Sequence, residues 1–361
     1  MPDQPPAAPV HEPASGPRLL AAPWRAGARY LNLDGRRIPP AHSFPRFLRW
    51  RFGRRAAPEL PGALDRPAEP VAPHAAWLAQ PEGLQITWLG HATCLIQVGG
   101  RAILTDPVFG PVALGAVRRL APPPLALDAL PHLDAICVSH NHYDHCDRPS
   151  LRALRARFPE ALLVAPPGLD AWLTQHVGGP VASLPWFESL RLDGPGTPDP
   201  VTLRAVPAQH WSTRGPHDLC RTHWCGFVVR GEAGAVYFAG DTGFGPHFEA
   251  IAADQPQLTA ALLPIGAYAP RWFMADQHMG PQEAVAAARI LGAHLLPIHW
   301  GTYRLTDEPL DEPPRLALTE AEAQGVPITL LSPGGIWRGP ARAHGRWRWP
   351  GEAVDKPRPA L

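Results

Sequence analysis

Lysine is almost missing from this 361-residue chain: Lys356 is the single one, and arginine carries nearly all of the positive charge. Charged residues make up only 18%, and 33 basic against 32 acidic side chains leave a formal net charge of +1. That balance argues against a globally basic nucleic-acid binder and against an acidic disordered chain. Five cysteines (Cys94, Cys137, Cys146, Cys220 and Cys225) are too few and too scattered for a disulfide scaffold. Cys220 and Cys225 lack the spacing of a zinc knuckle, so free and mostly buried thiols are expected. No uninterrupted apolar run reaches about 18 residues, which argues against a membrane-spanning helix. The opening MPDQPPAAPVHEPASGP has no apolar segment of the secretory kind, so a cytoplasmic location is the default expectation. No G-x-S-x-G nucleophile turn is present either.

Proline, by contrast, is abundant at 48 residues, and apolar side chains reach 45%, enough for a sizeable core. The prolines mark the organisation. Residues 1–20 are Pro/Ala-rich with few large apolar side chains and read as disordered. Residues 21–83 read as an N-terminal extension that ends in an extended, Pro-rich connector over 56–82. Residues 84–338 form the regular domain, and 339–361 read as a Pro/Arg-rich tail. Within the domain, LQITWL, TCLIQV, AILTD, DAICVS, ALLVA, VTLRAV, CGFVVR, AVYFAG, ALLPI, HLLPI and Val326–Leu331 have the apolar character of strands. Helical stretches are expected near 149–157, 168–176, 281–291 and 314–324. Early hairpins followed by strand–helix alternation imply an α/β fold of two sheets covered by helices.

One segment carries the chemistry: Ser139-His140-Asn141-His142-Tyr143-Asp144-His145, directly after the apolar DAICVS. In an extended stretch His140 and His142 point to one side, because side chains alternate. The turn that follows can return Asp144 and His145 to the same centre. Imidazole nitrogen and carboxylate oxygen are ligands that zinc takes, and four of them within six residues can nucleate a two-metal site. Three further candidates each sit just past an apolar strand: His210 after VTLRAVPAQ, Asp241 after AVYFAG and His299 after HLLPI. Asp106, ending LTDP beside the metal loop, is a candidate to fix a ligand histidine or the loop backbone. Tyr143 lies between ligands, and His91 in Gly-His-Ala is a turn residue or a support for a ligand. His132, His217, His223, His247 and His294 carry no spacing argument and read as structural.

The H-x-H-x-D-H run with later His, Asp and His resembles the metallo-β-lactamase superfamily. Within it, ITWLGHAT, LTDPVF, SHNHYDH, AQHW, FAGDTG, PIGAYAPRWFM, QHMGPQEA and IHWGT resemble the N-acyl-phosphatidylethanolamine-hydrolysing phospholipase D family. The resemblance implies an αββα sandwich with an N-terminal extension, and two zinc ions, with iron or manganese as alternatives. It implies one metal on His140, His142 and His210, another on Asp144, His145 and His299, and Asp241 bridging them. A hydroxide between the metals would attack a phosphodiester, the metals neutralising the charge that builds up. It also implies that His278, before the helix at Pro281, lies by the metals and contacts substrate, as a hydrogen-bond donor or an aid to the leaving group. A lactonase or other small-ester hydrolase on the same fold, and a noncatalytic metal-binding protein, are the competing readings.

Residues 44–55, FPRFLRWRFGRR, interleave five arginines with aromatic side chains and contain no acid. Such a segment suits a membrane surface, rings at headgroup level and guanidiniums on phosphates, which fits peripheral association with the inner membrane face and a lipid substrate. Packing of its aromatics on the core is the plainer expectation, and a nucleic-acid partner is not expected.

Overall fold

The computed structural model describes residues 11–12, 24–36, 44–60, 62–193, 199–339 and 342–347. Most of the expected apolar runs are strands, and they gather into two large sheets and one small hairpin, Arg25–Ala26 with Arg29–Tyr30. The eight-stranded sheet runs, from one edge to the other, Ala343–Arg346, Leu331–Trp337, Gln85–Trp88, Cys94–Val98, Arg101–Thr105, Ala135–Cys137, Leu162–Ala165 and Val181–Ser183. The seven-stranded sheet runs His11–Glu12, Ser189–Arg191, Thr202–Val206, Gly226–Gly231, Gly234–Phe238, Ala260–Pro264 and His294–Ile298. Each sheet begins with antiparallel hairpins and finishes with parallel strands, from Arg101–Thr105 onward in one and from Gly234–Phe238 onward in the other.

Side-chain alternation divides the packing. Cys94, Ile96 and Val98 join a core that also holds Phe227 and Val229 of the other sheet, whereas Leu95 joins a second cluster. That second cluster contains Leu151 and Leu154 of helix Arg148–Arg157, and Leu169 and Leu173 of helix Leu169–His176. On the other outer face, helix Pro281–Leu291 packs on Ala260–Pro264, on His294–Ile298 and on helix Glu312–Gln324. Layers run helix, sheet, sheet, helix. Local chemistry ends the helices where expected: Asp147 accepts the Ser150 N–H at 3.0 Å, and Gly292 takes the left-handed conformation after Leu291.

One expectation needs correction. Val326–Leu331 is not a ladder strand; it makes one parallel bridge, Leu295 with Ile328, because Pro327 has no N–H to continue it. The last long strand is instead Leu331–Trp337, where Ser-Pro-Gly-Gly forms a bulge rather than a turn. The connector over 56–82 is strapped onto the domain. The Ala68 N–H donates to Gly301 O at 3.0 Å, the Val71 N–H to Pro333 O at 2.8 Å, and the Leu60 N–H to Glu312 Oε2 at 2.9 Å. The tail is not wholly separate, since Ala343–Arg346 pairs with Leu331–Trp337. The disorder expected over 1–20 falls outside the described residues except at His11–Glu12, which pair with Ser189 and Leu190.

Residues Phe44–Phe52 form a helix. Its Trp50 ring stacks on Phe273 at 5.2 Å, and the Arg46 and Arg49 guanidiniums lie over Trp272.

Candidate metal centre

The seven donor residues leave the sheets at one end of the sandwich. The 139–145 loop follows Ala135–Cys137, His210 follows Thr202–Val206, Asp241 follows Gly234–Phe238 and His299 follows His294–Ile298. Loops after the carboxyl ends of strands build sites in open α/β sheets. Here they bring residues up to 159 positions apart in sequence (140 to 299) within a few ångströms.

One group is His140, His142, His210 and Asp241. His140 Nε2 and His142 Nδ1 are 2.9 Å apart, His142 Nδ1 and His210 Nε2 3.1 Å, and Asp241 Oδ2 lies 3.8 Å from both His140 Nε2 and His210 Nε2. A second group is His91, Asp144, His145 and His299. His145 Nε2 is 3.3 Å from His299 Nε2 and 3.5 Å from Asp144 Oδ2. Asp241 joins the groups: its Oδ2 lies 3.2 Å from His145 Nε2 and its Oδ1 3.1 Å from His299 Nε2.

Nitrogens that converge in this way repel one another unless a cation sits among them. With Zn–N bonds of about 2.0 Å, ligand atoms on a tetrahedron are roughly 3.3 Å apart, close to the separations found here. The donor set therefore fits a pair of His/Asp-held cations. Its electrostatics agree. Burial and the neighbouring imidazoles hold His140 well below the usual histidine range, in the neutral form that ligates. Burial works against charge on Asp241 and Asp144, but His145 beside both holds their carboxyls well below the usual range. Burial likewise opposes charge on His145, yet Asp241, Asp144 and Asp106 raise its pKa well above the ordinary value, so the site itself attracts positive charge.

Asp106 is fully buried and accepts from His145 Nδ1 at 2.7 Å, from the Ser139 N–H at 2.7 Å and from Ser139 Oγ at 2.6 Å. That bond places the His145 proton on Nδ1 and leaves Nε2 for the centre. Burial raises the Asp106 pKa against these bonds. His91 Nε2 lies 3.0 Å from Asp144 Oδ2, its ring 4.0 Å from that of His299, and burial with His299 lowers its pKa to about 3. His278 Nδ1 lies 3.9 Å from Asp241 Oδ2, and burial lowers its pKa to about 4 against the pull of Asp241. Tyr143 faces the protein: its hydroxyl donates to Arg214 O at 2.9 Å. The five histidines read as structural stay outside both donor groups.

Arg214 has no signature in the sequence. Its guanidinium donates to Asn141 O and Cys146 O, both at 2.8 Å, which bracket His142 through His145, and it lies 4.0 Å from the Tyr143 ring and 4.7 Å from that of Trp172. Arg214, Tyr143 and Trp172 border a cleft of about 480 Å³, lined also by Val112, Leu114 and Arg148.

Residues 101–300 match the family described as Beta-lactamase superfamily domain. The chain belongs to the metallo-β-lactamase superfamily. This superfamily member is 36% identical over 271 residues to the N-acyl-phosphatidylethanolamine-hydrolyzing phospholipase D 1 of Caenorhabditis elegans, covering 71% of this chain and 76% of that one. It is 35% identical over 346 residues to an uncharacterized protein of Mycobacterium tuberculosis, covering 90% and 87%. Among solved structures, an isothiocyanate hydrolase from Delia radicum gut bacteria shares the fold, with a TM-score of 0.54 at 20% identity over 70% of this chain and 98% of that one. The expected sandwich is thus the fold, and the protein is a metal-dependent hydrolase. Among the described residues no helix is long and apolar enough to cross a membrane.

Proposed function

We propose that this superfamily member is a dinuclear zinc hydrolase of the phospholipase D type, acting on an N-acyl-phosphatidylethanolamine. The observation that carries this reading is the meeting of two donor groups at Asp241, each offering four ligand atoms. His140, His142 and His210 would hold one zinc, Asp144, His145 and His299 the other, and Asp241 both. The His-rich donor set suits zinc over harder cations. Two bound cations would activate a shared water and clamp the diester oxygens. Water then displaces the ethanolamine oxygen at phosphorus, giving phosphatidate and an N-acylethanolamine.

The chain's own groups supply the rest. His278 is neutral near pH 7, and its buried Nδ1 makes no hydrogen bond among the described residues. It is set to donate to a substrate oxygen and to steady the departing alkoxide. Asp106 and His91 orient His145 and Asp144. The cleft bounded by Tyr143, Trp172, Leu114, Arg148 and Arg214 combines apolar walls with guanidiniums, which suits an anionic diester carrying chains. Helix Phe44–Phe52 supports peripheral membrane contact. It packs on Trp272 and Phe273, a few residues before His278, and its Phe52 ring is 78% exposed beside Arg51, Arg54 and Arg55.

Zinc analysis and turnover test this together. About two zinc per chain, and hydrolysis of N-acyl-phosphatidylethanolamine vesicles to the two products, are expected. Protein active without metal, or protein that opens a small lactone and leaves the lipid intact, overturns the proposal.

A further inference from the structure

The N-terminal segment reaches the metal centre. Asn32 is 2% exposed, and its Oδ1 accepts the backbone N–H of His210 at 2.9 Å across 178 residues of chain. The same oxygen accepts Trp224 Nε1 at 3.0 Å. His210 has already left the strand Thr202–Val206, so sheet pairing does not satisfy its N–H. Its ring is tied separately, through Nδ1 at 3.0 Å from Gln277 O. The Nε2 that faces the centre is therefore aimed by two anchors, one on the ring and one on the backbone.

The seat of Asn32 is built for it. Its own N–H donates to Arg36 O at 2.9 Å, and the Gly35 N–H donates to Asn32 O at 2.9 Å, closing a tight turn. The Tyr30 N–H donates to Cys220 O at 2.8 Å, and the Tyr30 ring stacks on His223 at 4.6 Å. Trp24 lies against Trp186 at 5.1 Å. Asn32 Nδ2 is buried and makes no hydrogen bond among the described residues, so the acceptor oxygen, and not the amide as a whole, accounts for the residue.

We infer that residues 24–36 are part of the metal centre and that Asn32 is a positioning residue for His210. The inference rests on the dinuclear reading given above. Groups that orient a ligand histidine typically change metal affinity by about 10–100-fold when removed.

The test compares wild type, Asn32→Leu and Asn32→Asp, loaded with zinc and titrated with a competing chelator while bound zinc per chain is counted. Melting of the metal-free proteins is followed in parallel. Asn32→Leu should release one zinc equivalent at roughly tenfold lower chelator strength and keep the other. Asn32→Asp, which keeps the acceptor and forfeits no amide bond, should restore wild-type retention. Wild-type retention of both equivalents by Asn32→Leu overturns the inference. So does equal loss of both in step with a lower metal-free melting temperature, which marks a merely structural role. If the leucine variant does not fold, Asn32→Ala, which adds no bulk, gives the same comparison. A wild-type protein that binds no zinc sinks the dinuclear reading instead.

Discussion

The two donor groups are supported by different chemistry. Behind His140 and His210 stand neutral oxygens: Ser139 Oγ, 2.9 Å from His140 Nδ1, and Gln277 O, 3.0 Å from His210 Nδ1. Behind the other group stand a buried carboxylate and packed rings. Asp106 accepts a hydrogen bond from His145 Nδ1 at 2.7 Å, His91 lies 3.0 Å from Asp144 with its ring tilted against that of His299, and Tyr303 meets the His91 ring edge-on. A carboxylate behind an imidazole raises its basicity and fixes its ring more firmly than a neutral oxygen does. The lesson is that a near-symmetric pair of sites can be built with unequal hold. The His145 side is expected to retain its cation, and the His210 side to exchange first.

The largest test removes what the two groups share. Asp241→Ala should drop bound zinc below one per chain and slow hydrolysis by about a thousandfold or more, read by metal analysis and initial rates. Next comes the inequality itself. Asp106→Asn should weaken the firmer site by roughly 10–100-fold in chelator competition, reversing which cation leaves first. Unchanged order of release would show that the carboxylate does not set the difference.

A smaller effect is expected from Arg214→Lys. Both bonds come from Nη1, and the planar guanidinium also lies over the Tyr143 and Trp172 rings, a combination that a compact ammonium does not reproduce. The loop holding His142 through His145 then loosens, and zinc affinity should fall by up to about tenfold with little change in fold, checked by circular dichroism.

A further effect lies away from the metals and is read on stability. Burial lowers His223 to about 3 and His294 to about 4. Both are neutral when folded, while the unfolded chain takes up their protons below about pH 6.5. Stability is thus intact above that pH and falls as pH drops toward the folded values, by about 1.4 kcal/mol per pH unit for each group. Denaturant unfolding between pH 4 and 7 should show stability falling toward acid, with His91 and His278, also lowered by burial, contributing in the same direction, and His223→Phe should reduce the slope by one group's share.

The sequence was legible where a short stretch carries its own chemistry. Strands announced themselves as short apolar runs, helix Pro281–Leu291 by its proline start, and the 140–145 loop by its crowding of ligands. It was illegible where partners come from elsewhere in the chain. The sequence puts the last long strand too early, at Val326–Leu331, because the Pro-Gly-Gly inside Leu331–Trp337 carries no strand signal, yet pairing with Ala343–Arg346 holds it with a shift of register. The Pro-rich connector reads as extended, but what it docks on was not legible: its backbone N–H groups find Gly301, Pro333 and Glu312.

The residues by themselves determined which side chains can ligate and which stretches extend as strands, because donor chemistry and apolar character are local properties. Tertiary structure decided which donors converge and what aims them. An imidazole is oriented by the bond at its far nitrogen or at its backbone. Asp106, 39 residues from His145, was legible as a candidate, but which histidine it holds was not; Gln277 and Asn32 lie 67 and 178 residues from His210, too far for local spacing to encode.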